Sequence, residues 1–169
     1  GKIVEQRSEG TVDDYGLAPA QFVEKRFRKD AFTTTFKRDS KTIVFGEGDE
    51  SYPLKGGEQD RNSAVWQLAS VARAAPEKFV PGSEWAFFVA GAHDAEPWVF
   101  KVVKQETVAT GEGLVEAVHL VKAPPPDKKG QQVDLWLAPS LEWYPVKVTF
   151  ADADGGDYVE QTLQKIVRK

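Results

Sequence analysis

The chain of 169 residues contains no cysteine, no methionine and only two histidines. The absence of cysteine excludes disulfides, thiol nucleophiles and thiolate metal sites, and it is compatible with an oxidising compartment. A zinc site would have to rely on carboxylates, because His93 and His119 are the only imidazoles. The composition therefore indicates no cofactor and no metal site.

Long apolar runs are missing as well. No stretch approaches the ~18 consecutive apolar residues of a membrane helix, and the first residues lack the basic and then apolar pattern of a signal peptide. Because the chain begins at Gly1 and contains no methionine, we expect a processed or trimmed product. The net charge is −4, whereas nucleic-acid-binding domains usually carry a basic excess. We expect no transmembrane segment and no nucleic acid as the main partner.

Alternating apolar and polar residues are the strongest pattern present, and they are clearest between Val133 and Phe150. A period of two is typical of half-buried strands. The predicted strands are 2–9, 21–28, 32–38, 42–45, 84–89, 98–104, 114–122, 133–138, 144–151 and 158–167. Links this short do not allow parallel crossovers. The sequence predicts a mainly β fold in one domain, 1–169, built as a curled antiparallel sheet or roll of the meander type.

One α-helix is predicted between Asp60 and Pro76. Asp60 can cap it by accepting a hydrogen bond from an amide of the first turn, and Pro76 ends it. Its apolar residues recur at the spacing of a single helical face: Val65, Leu68, Ala69 and Ala72. We expect this face to pack against the sheet, and we expect residues 46–57 before it to form a long loop.

The two histidines are the first candidates for chemistry. His93 lies in a loop rich in glycine and alanine beside Asp94 and Glu96, which permits a general-base pair or a carboxylate-assisted metal site. The alternative is a structural or solvated role. His119 lies on a predicted strand, where the ordinary interpretation is a partly buried ring with one satisfied nitrogen. No complete catalytic set is present, so the sequence assigns no catalytic residue.

Tryptophans and one basic run are the candidates for binding. The alternation leaves open which way Trp98, Trp136 and Trp143 face, so they could contact an apolar or glycan ligand on the concave side of a curled sheet. The run 25–29 combines basic and aromatic residues and could bind a nucleic acid strand. The low net charge favours instead a protruding edge or hairpin tip that resists sheet-to-sheet aggregation.

A series of different short motifs is spread along the chain. They are Arg7-Ser8-Glu9-Gly10, Gly16-Leu17-Ala18-Pro19, Gln59-Asp60-Arg61-Asn62-Ser63, Thr110-Gly111-Glu112-Gly113, Val118-His119-Leu120, Leu135-Trp136-Leu137-Ala138-Pro139, Tyr144-Pro145-Val146-Lys147-Val148, Asp154-Gly155 and Tyr158-Val159-Glu160-Gln161-Thr162-Leu163. Together they resemble domain-of-unknown-function family 3108, a group of bacterial exported proteins. The resemblance implies a mainly antiparallel β domain of the bacterial envelope with no assigned activity and no catalytic residues. It also implies strands before Arg7 that the chain lacks.

These observations leave three hypotheses. The first is a non-catalytic module, periplasmic or envelope-associated, that binds or scaffolds an unknown envelope component through the exposed face or edge of the sheet. The second is a carrier of a small apolar or glycan ligand, and the third is a hydrolase that uses His93. Because strand 2–9 would lack its neighbours, it is a candidate edge that either pairs with a second copy as a homodimer or is covered by residues 46–57.

Overall fold

The computed structural model describes residues 4–46, 50–124, 130–152 and 155–169. Its strands are β1 (Val4–Asp13), β2 (Gly16–Arg26), β3 (Phe32–Lys37), β4 (Thr42–Phe45), β5 (Ser51–Pro53), β6 (Gln59–Asp60), β7 (Glu84–Ala90), β8 (Ala95–Thr110), β9 (Gly113–Lys122), β10 (Gln131–Ala138), β11 (Tyr144–Asp152) and β12 (Tyr158–Thr162). The described residues contain one α-helix, α1 (Ser63–Ala74), and two short 3-10 turns. The prediction of a mainly β fold with one helix is confirmed.

The strands form two sheets in which chain neighbours lie side by side. One has the order β1-β2-β3-β4-β5, and the other has the order β12-β11-β10-β9-β8-β7-β6. The pairs from β1 to β5 and from β8 to β12 are antiparallel, as predicted for a meander, and β6 pairs with β7 in parallel. By compactness the chain divides into a first unit, residues 1–67 with 87–98, and a second unit, residues 68–86 with 99–169.

The first unit has an apolar core on one face of its five-stranded sheet. The core residues are Phe22, Phe36, Ile43, Phe45, Leu54, Ala90 and Ala95. Phe22 is fully buried between the exposed Gln21 and the half-buried Val23 in β2, as a two-residue period requires. The other face of β1 and β2 is therefore left to polar side chains such as Glu5, Arg7 and Gln21.

The second unit is built on β9, β10 and β11. Leu120, Leu135 and Val148 lie opposite one another on these strands and are buried. Their neighbours along the chain, His119, Trp136 and Lys147, lie on the other face of the sheet. That second face carries the polar side chains of the candidate site.

Helix α1 confirms the predicted cap and apolar face. The Asp60 carboxylate accepts hydrogen bonds from the amides of Asn62 and Ser63, at 2.8 and 2.7 Å. The predicted apolar residues are all buried: Val65, Leu68, Ala69 and Ala72. In the first unit, the Gln67 amide oxygen accepts a bond from the Leu17 amide at 2.8 Å. This bond attaches the start of the helix to β2.

Several segments differ from the sequence-based prediction. β8 is longer than the predicted strand 98–104, β1 continues beyond the predicted residue 9, and β6 was not predicted. β2 begins at Gly16, where a turn was predicted, because the positive φ of 109° at Gly16 lets the chain reverse within two residues and resume pairing. The predicted loop 46–57 contains β5, which pairs with β4. The last strand ends at Thr162, because the Leu163 carbonyl accepts a bond from Gly111 of the β8–β9 turn. Residues 2–3 and 47–49 of these predictions lie outside the described residues.

The candidate edge strand is indeed at an edge. In the described part of the chain, β1 occupies one end of the five-stranded sheet and β5 the other. β5, which lies within the predicted loop 46–57, therefore pairs with β4 and not with β1. Pairing of β1 with a second copy stays a prediction.

Candidate functional site

A row of polar side chains crosses one face of the second unit. Strand register places Lys104 opposite His119, His119 opposite Trp136 and Trp136 opposite Lys147. Their neighbours two residues along lie on the same face, because side chains alternate along a strand. We call this set the polar row: Lys104, Glu106, His119, Asp134, Trp136, Lys147 and Glu160.

His119 stands at the centre of the polar row with its side chain only 14% exposed. Its Nε2 lies 2.8 Å from Asp134 Oδ1, and its Nδ1 lies 3.3 Å from Glu106 Oε1. The first contact is a hydrogen bond, whereas the second lacks hydrogen-bond geometry. Both ring nitrogens therefore face carboxylates of neighbouring strands.

Trp136 is held on both sides by neighbouring strands. Its ring stacks on His119 of β9, with centroids 4.3 Å apart and planes 10° apart. Lys147 of β11 places its ammonium 4.9 Å from the Trp136 ring centroid. The indole Nε1 donates a 2.6 Å hydrogen bond to Glu106 Oε1. Trp136 thus fixes the position of a carboxylate as well as filling space.

Two carboxylates of the polar row, those of Glu106 and Glu160, are stabilised in their charged form. The Trp136 hydrogen bond is the main cause that holds the pKa of Glu106 below its ordinary value, and Lys104, with its Nζ 3.1 Å away, acts in the same direction. A hydrogen bond from the Tyr158 hydroxyl likewise lowers the pKa of Glu160 and raises the pKa of Tyr158 itself. The row is therefore ionised at neutral pH at both of these positions.

We expect Glu106→Gln to reduce stability by about 1 kcal/mol at neutral pH, because the indole bond loses its charged acceptor. The folded-state pKa of Glu106 is depressed, so its contribution is present above the unfolded pKa and is lost as the pH falls through the folded pKa. Urea melts at pH 7 and in the acid range measure both effects. The variant should fall below the parent at pH 7 and converge with it in acid; a constant difference at every pH would contradict this account.

The polar row brings an imidazole, carboxylates and ammonium groups together on one sheet face. His119 bonds to Asp134 through Nε2, and its Nδ1 faces Glu106 without a hydrogen bond. No group of three or more acidic or imidazole side chains placed to hold a metal occurs within the described ranges. What the row offers is a set of fixed charges of both signs on a sheet face.

The predicted tryptophan site is distributed over separate environments. Trp98, in the first unit, is buried, donates from Nε1 to Glu96 at 3.2 Å, and has the Arg61 guanidinium 6.0 Å from its ring centroid. Trp143, in the second unit, is half-buried with its ring 5.6 Å from Phe79. Trp136 belongs to the polar row. A ligand-binding role of these three residues stays a prediction.

His93 is exposed on the turn between β7 and β8. Its ring makes an edge contact with Phe32, with centroids 4.3 Å apart. Within the part of the chain that the structure describes, His93 forms no hydrogen bond or ion pair with a carboxylate. Glu96, one of its predicted partners, accepts the Trp98 bond instead. The arrangement that the hydrolase hypothesis requires is therefore not formed here.

A buried acid that sequence reasoning assigned only to helix capping lies in the first unit. Asp60 is fully buried, and besides the amides of Asn62 and Ser63 it accepts a hydrogen bond from the Ser8 hydroxyl. Burial raises the pKa of Asp60 above its ordinary value, although these three bonds oppose the shift. Two of the short sequence motifs, around Ser8 and around Asp60, therefore meet as structural partners.

We expect Asp60→Asn to retain the cap and to be as stable as the parent or more stable at pH 7, because the amide oxygen still accepts both backbone bonds. Asp60→Ala should cost about 1 kcal/mol or more through the lost cap. The raised folded-state pKa means that Asp60 favours folding less as the pH rises through that value. Melts at several pH values should show this dependence only in the parent; an Asn variant as weak as the Ala variant would contradict it.

Comparison with known proteins identifies the family. The family model described as Protein of unknown function (DUF3108) matches residues 2–164. No curated protein and no solved structure matches the chain. None of the helical segments in the described ranges has the length and apolar character that a membrane crossing requires. Since the match spans all but a few of the 169 residues, the chain belongs to the DUF3108 family.

Proposed function

We propose that this chain is a non-catalytic binding module of the bacterial cell envelope, periplasmic or envelope-associated, and that the polar row is the face that holds a protein component of the envelope. The observation that carries the proposal is the pairing of His119. Its Nε2 is hydrogen-bonded to Asp134 at 2.8 Å and its Nδ1 faces Glu106 at 3.3 Å, so the central ionisable group of the face is held among side chains of its own sheet. The resemblance to exported bacterial proteins supports the location.

The face has the features of a pre-organised polar interface. Lys104 and Glu160 present opposite charges near its two ends, with side chains 61% and 42% exposed. The charges between them are fixed by neighbouring strands, so little side-chain entropy is lost when a partner binds. Complementary charges on a partner would set register and exclude wrong partners. A protein surface with alternating charge fits this pattern.

The polar row favours a protein over a sugar that stacks on tryptophan. Glycans are commonly held against an open aromatic face, but Trp136 is only 9% exposed. His119 stacks on its ring, and the Lys147 ammonium lies over it. The Trp136 ring is therefore already covered by side chains of its own sheet.

Site-specific photo-crosslinking in bacterial cells tests the proposal. A photoreactive residue at Lys104 or at the exposed Tyr158 should yield one and the same crosslinked envelope protein. Gln105 and Gln161 are matched controls, because they are exposed on the same strands but face the other way. Equal crosslinking from the controls, or none from Lys104 and Tyr158, would overturn the assignment of this face.

Two further measurements complete the test. Lys147→Glu should remove the crosslink at Tyr158, because it reverses the charge at the middle of the polar row. Fractionation of cells that carry the full-length gene should recover the protein with the periplasm or the envelope. Recovery in the cytosol would contradict the proposed location independently of the partner.

A further inference from the structure

The turn between β2 and β3 concentrates positive charge. Four of the five residues from Lys25 to Lys29 are basic, although the whole chain carries a net charge of −4. The Lys29 amide donates a 3.0 Å hydrogen bond to the Arg26 carbonyl, and Arg28 takes a positive φ of 59°. We call Lys25, Arg26, Phe27, Arg28, Lys29 and Phe32 the basic tip.

Two phenylalanines are exposed at the same end of the hairpin. Phe27 is 58% and Phe32 is 41% exposed. The Arg28 guanidinium lies 5.0 Å from the Phe27 ring centroid, and the His93 ring contacts the edge of Phe32. Basic side chains and apolar aromatic rings are the residue types that contact anionic headgroups and the acyl boundary at a membrane surface.

The charges of the basic tip are only partly neutralised within the first unit. Arg26 Nε lies 3.1 Å from the buried Glu24 carboxylate, and Lys25 is opposite Glu5 in the β1–β2 register. Arg28 and Lys29 form no ion pair with any residue that the structure describes. They border an open cleft of about 540 Å³ that is also lined by Glu5 and Asp30.

We propose that the basic tip docks on an anionic lipid surface. Arg28 and Lys29 bind headgroup phosphates at the mouth of the cleft, and Phe27 enters the boundary between headgroups and acyl chains. Basic side chains near an anionic leaflet each add about 1 kcal/mol, which is roughly a fivefold gain in affinity. Nucleic acid fits less well, because single strands are bound along extended basic grooves and this charge is confined to one turn.

This contact is independent of the polar row. The basic tip belongs to the first unit, and the polar row belongs to the second. Lipid binding by the tip and protein binding by the row therefore fail or succeed separately.

Flotation with lipid vesicles tests the proposal on the intact chain. The chain should bind vesicles of phosphatidylglycerol mixed with phosphatidylcholine and should not bind vesicles of phosphatidylcholine alone. Added salt should release it, because screening weakens the attraction between exposed charges. Arg28→Gln with Lys29→Gln should lower the affinity about thirtyfold. Phe27→Ala should lower it about tenfold without changing the salt dependence, because it removes apolar burial only.

Matched variants separate the basic tip from general charge and apolarity. Lys165→Gln with Lys169→Gln removes two exposed positive charges elsewhere, and Leu114→Ala removes an apolar side chain that is 78% exposed. Both should bind anionic vesicles like the parent, and thermal melts should confirm that all variants fold. Binding to phosphatidylcholine alone, unchanged binding of the Arg28/Lys29 variant, or a single-stranded oligonucleotide bound more tightly than the vesicles would each overturn the lipid assignment.

Discussion

Replacing Leu68 by alanine should lower the free energy of unfolding by about 2 to 5 kcal/mol. Leu68 is fully buried at the centre of the apolar face of α1. Its neighbours on that face include Ala69 and Ala72, which are too small to fill the space that the shorter side chain leaves. The variant thus loses the transfer free energy of three carbons and gains a cavity.

Urea melts followed by tryptophan fluorescence measure this loss. Arg73→Ala on the same helix is the control, because its ion pair with Glu142 is exposed and should contribute less than about 1 kcal/mol. An unchanged slope of the transition would show that the native and unfolded states expose the same surface as in the parent. If Leu68→Ala and Arg73→Ala cost the same, α1 does not pack through its apolar face.

Local pattern was sufficient for the strands and the helix. The segment predicted as 133–138 is observed as Gln131–Ala138, and the segment predicted as 144–151 is observed as Tyr144–Asp152. Both carry a two-residue alternation and are bounded by turn residues. The helix was found because Asp60, the apolar face and Pro76 agree on one element. Such signals lie within a few residues of one another, so a single sequence contains them in full.

The polar row could not be found in this way, because it depends on register between strands. Glu106, His119 and Asp134 are separated by thirteen and fifteen residues, and only pairing of β8, β9 and β10 brings them together. Register shifts between Val102 and Lys104 and between Trp136 and Leu137 add a further difficulty. A bulge moves every later side chain to the other face, so counting alternation from the sequence fails beyond it.

The orientation of Trp136 on β10 could not be predicted from the sequence for a different reason. Leu135 and Leu137 on one face of β10 are fully buried, and Trp136 on the other face is buried as well. Because Leu135, Trp136 and Leu137 are all apolar, the alternation that marks the strand does not show which face Trp136 takes. The sequence predicts a partly buried His119 with one satisfied nitrogen and leaves a general-base role open only for His93. The structure places carboxylates beside His119 and the edge of a phenylalanine ring beside His93.

Replacing Gly10 by alanine should cost about 3 kcal/mol. The β1–β2 register shifts between Glu9 and Gly10, and at this point the strands approach closely. A Cβ on Gly10 would overlap the carbonyl oxygen of Ala18 and would lie 2.6 Å from the Pro19 Cα. Both are backbone atoms that cannot rotate away, so the hairpin itself would have to separate at the bulge.

Gly113→Ala is the control that separates steric overlap from backbone conformation. Gly113 has a positive φ of 101° but no atom near the position of an added Cβ, so alanine there should cost only about 1 kcal/mol. Gly10 does not have a positive φ, so only the contact with Ala18 and Pro19 opposes a side chain there. Urea melts should therefore rank Gly10→Ala well below Gly113→Ala in stability. The reverse order would mean that β1 separates from β2 at the bulge at little cost. The contact of Gly10 with Ala18 and Pro19 would then contribute little to the stability of the first unit.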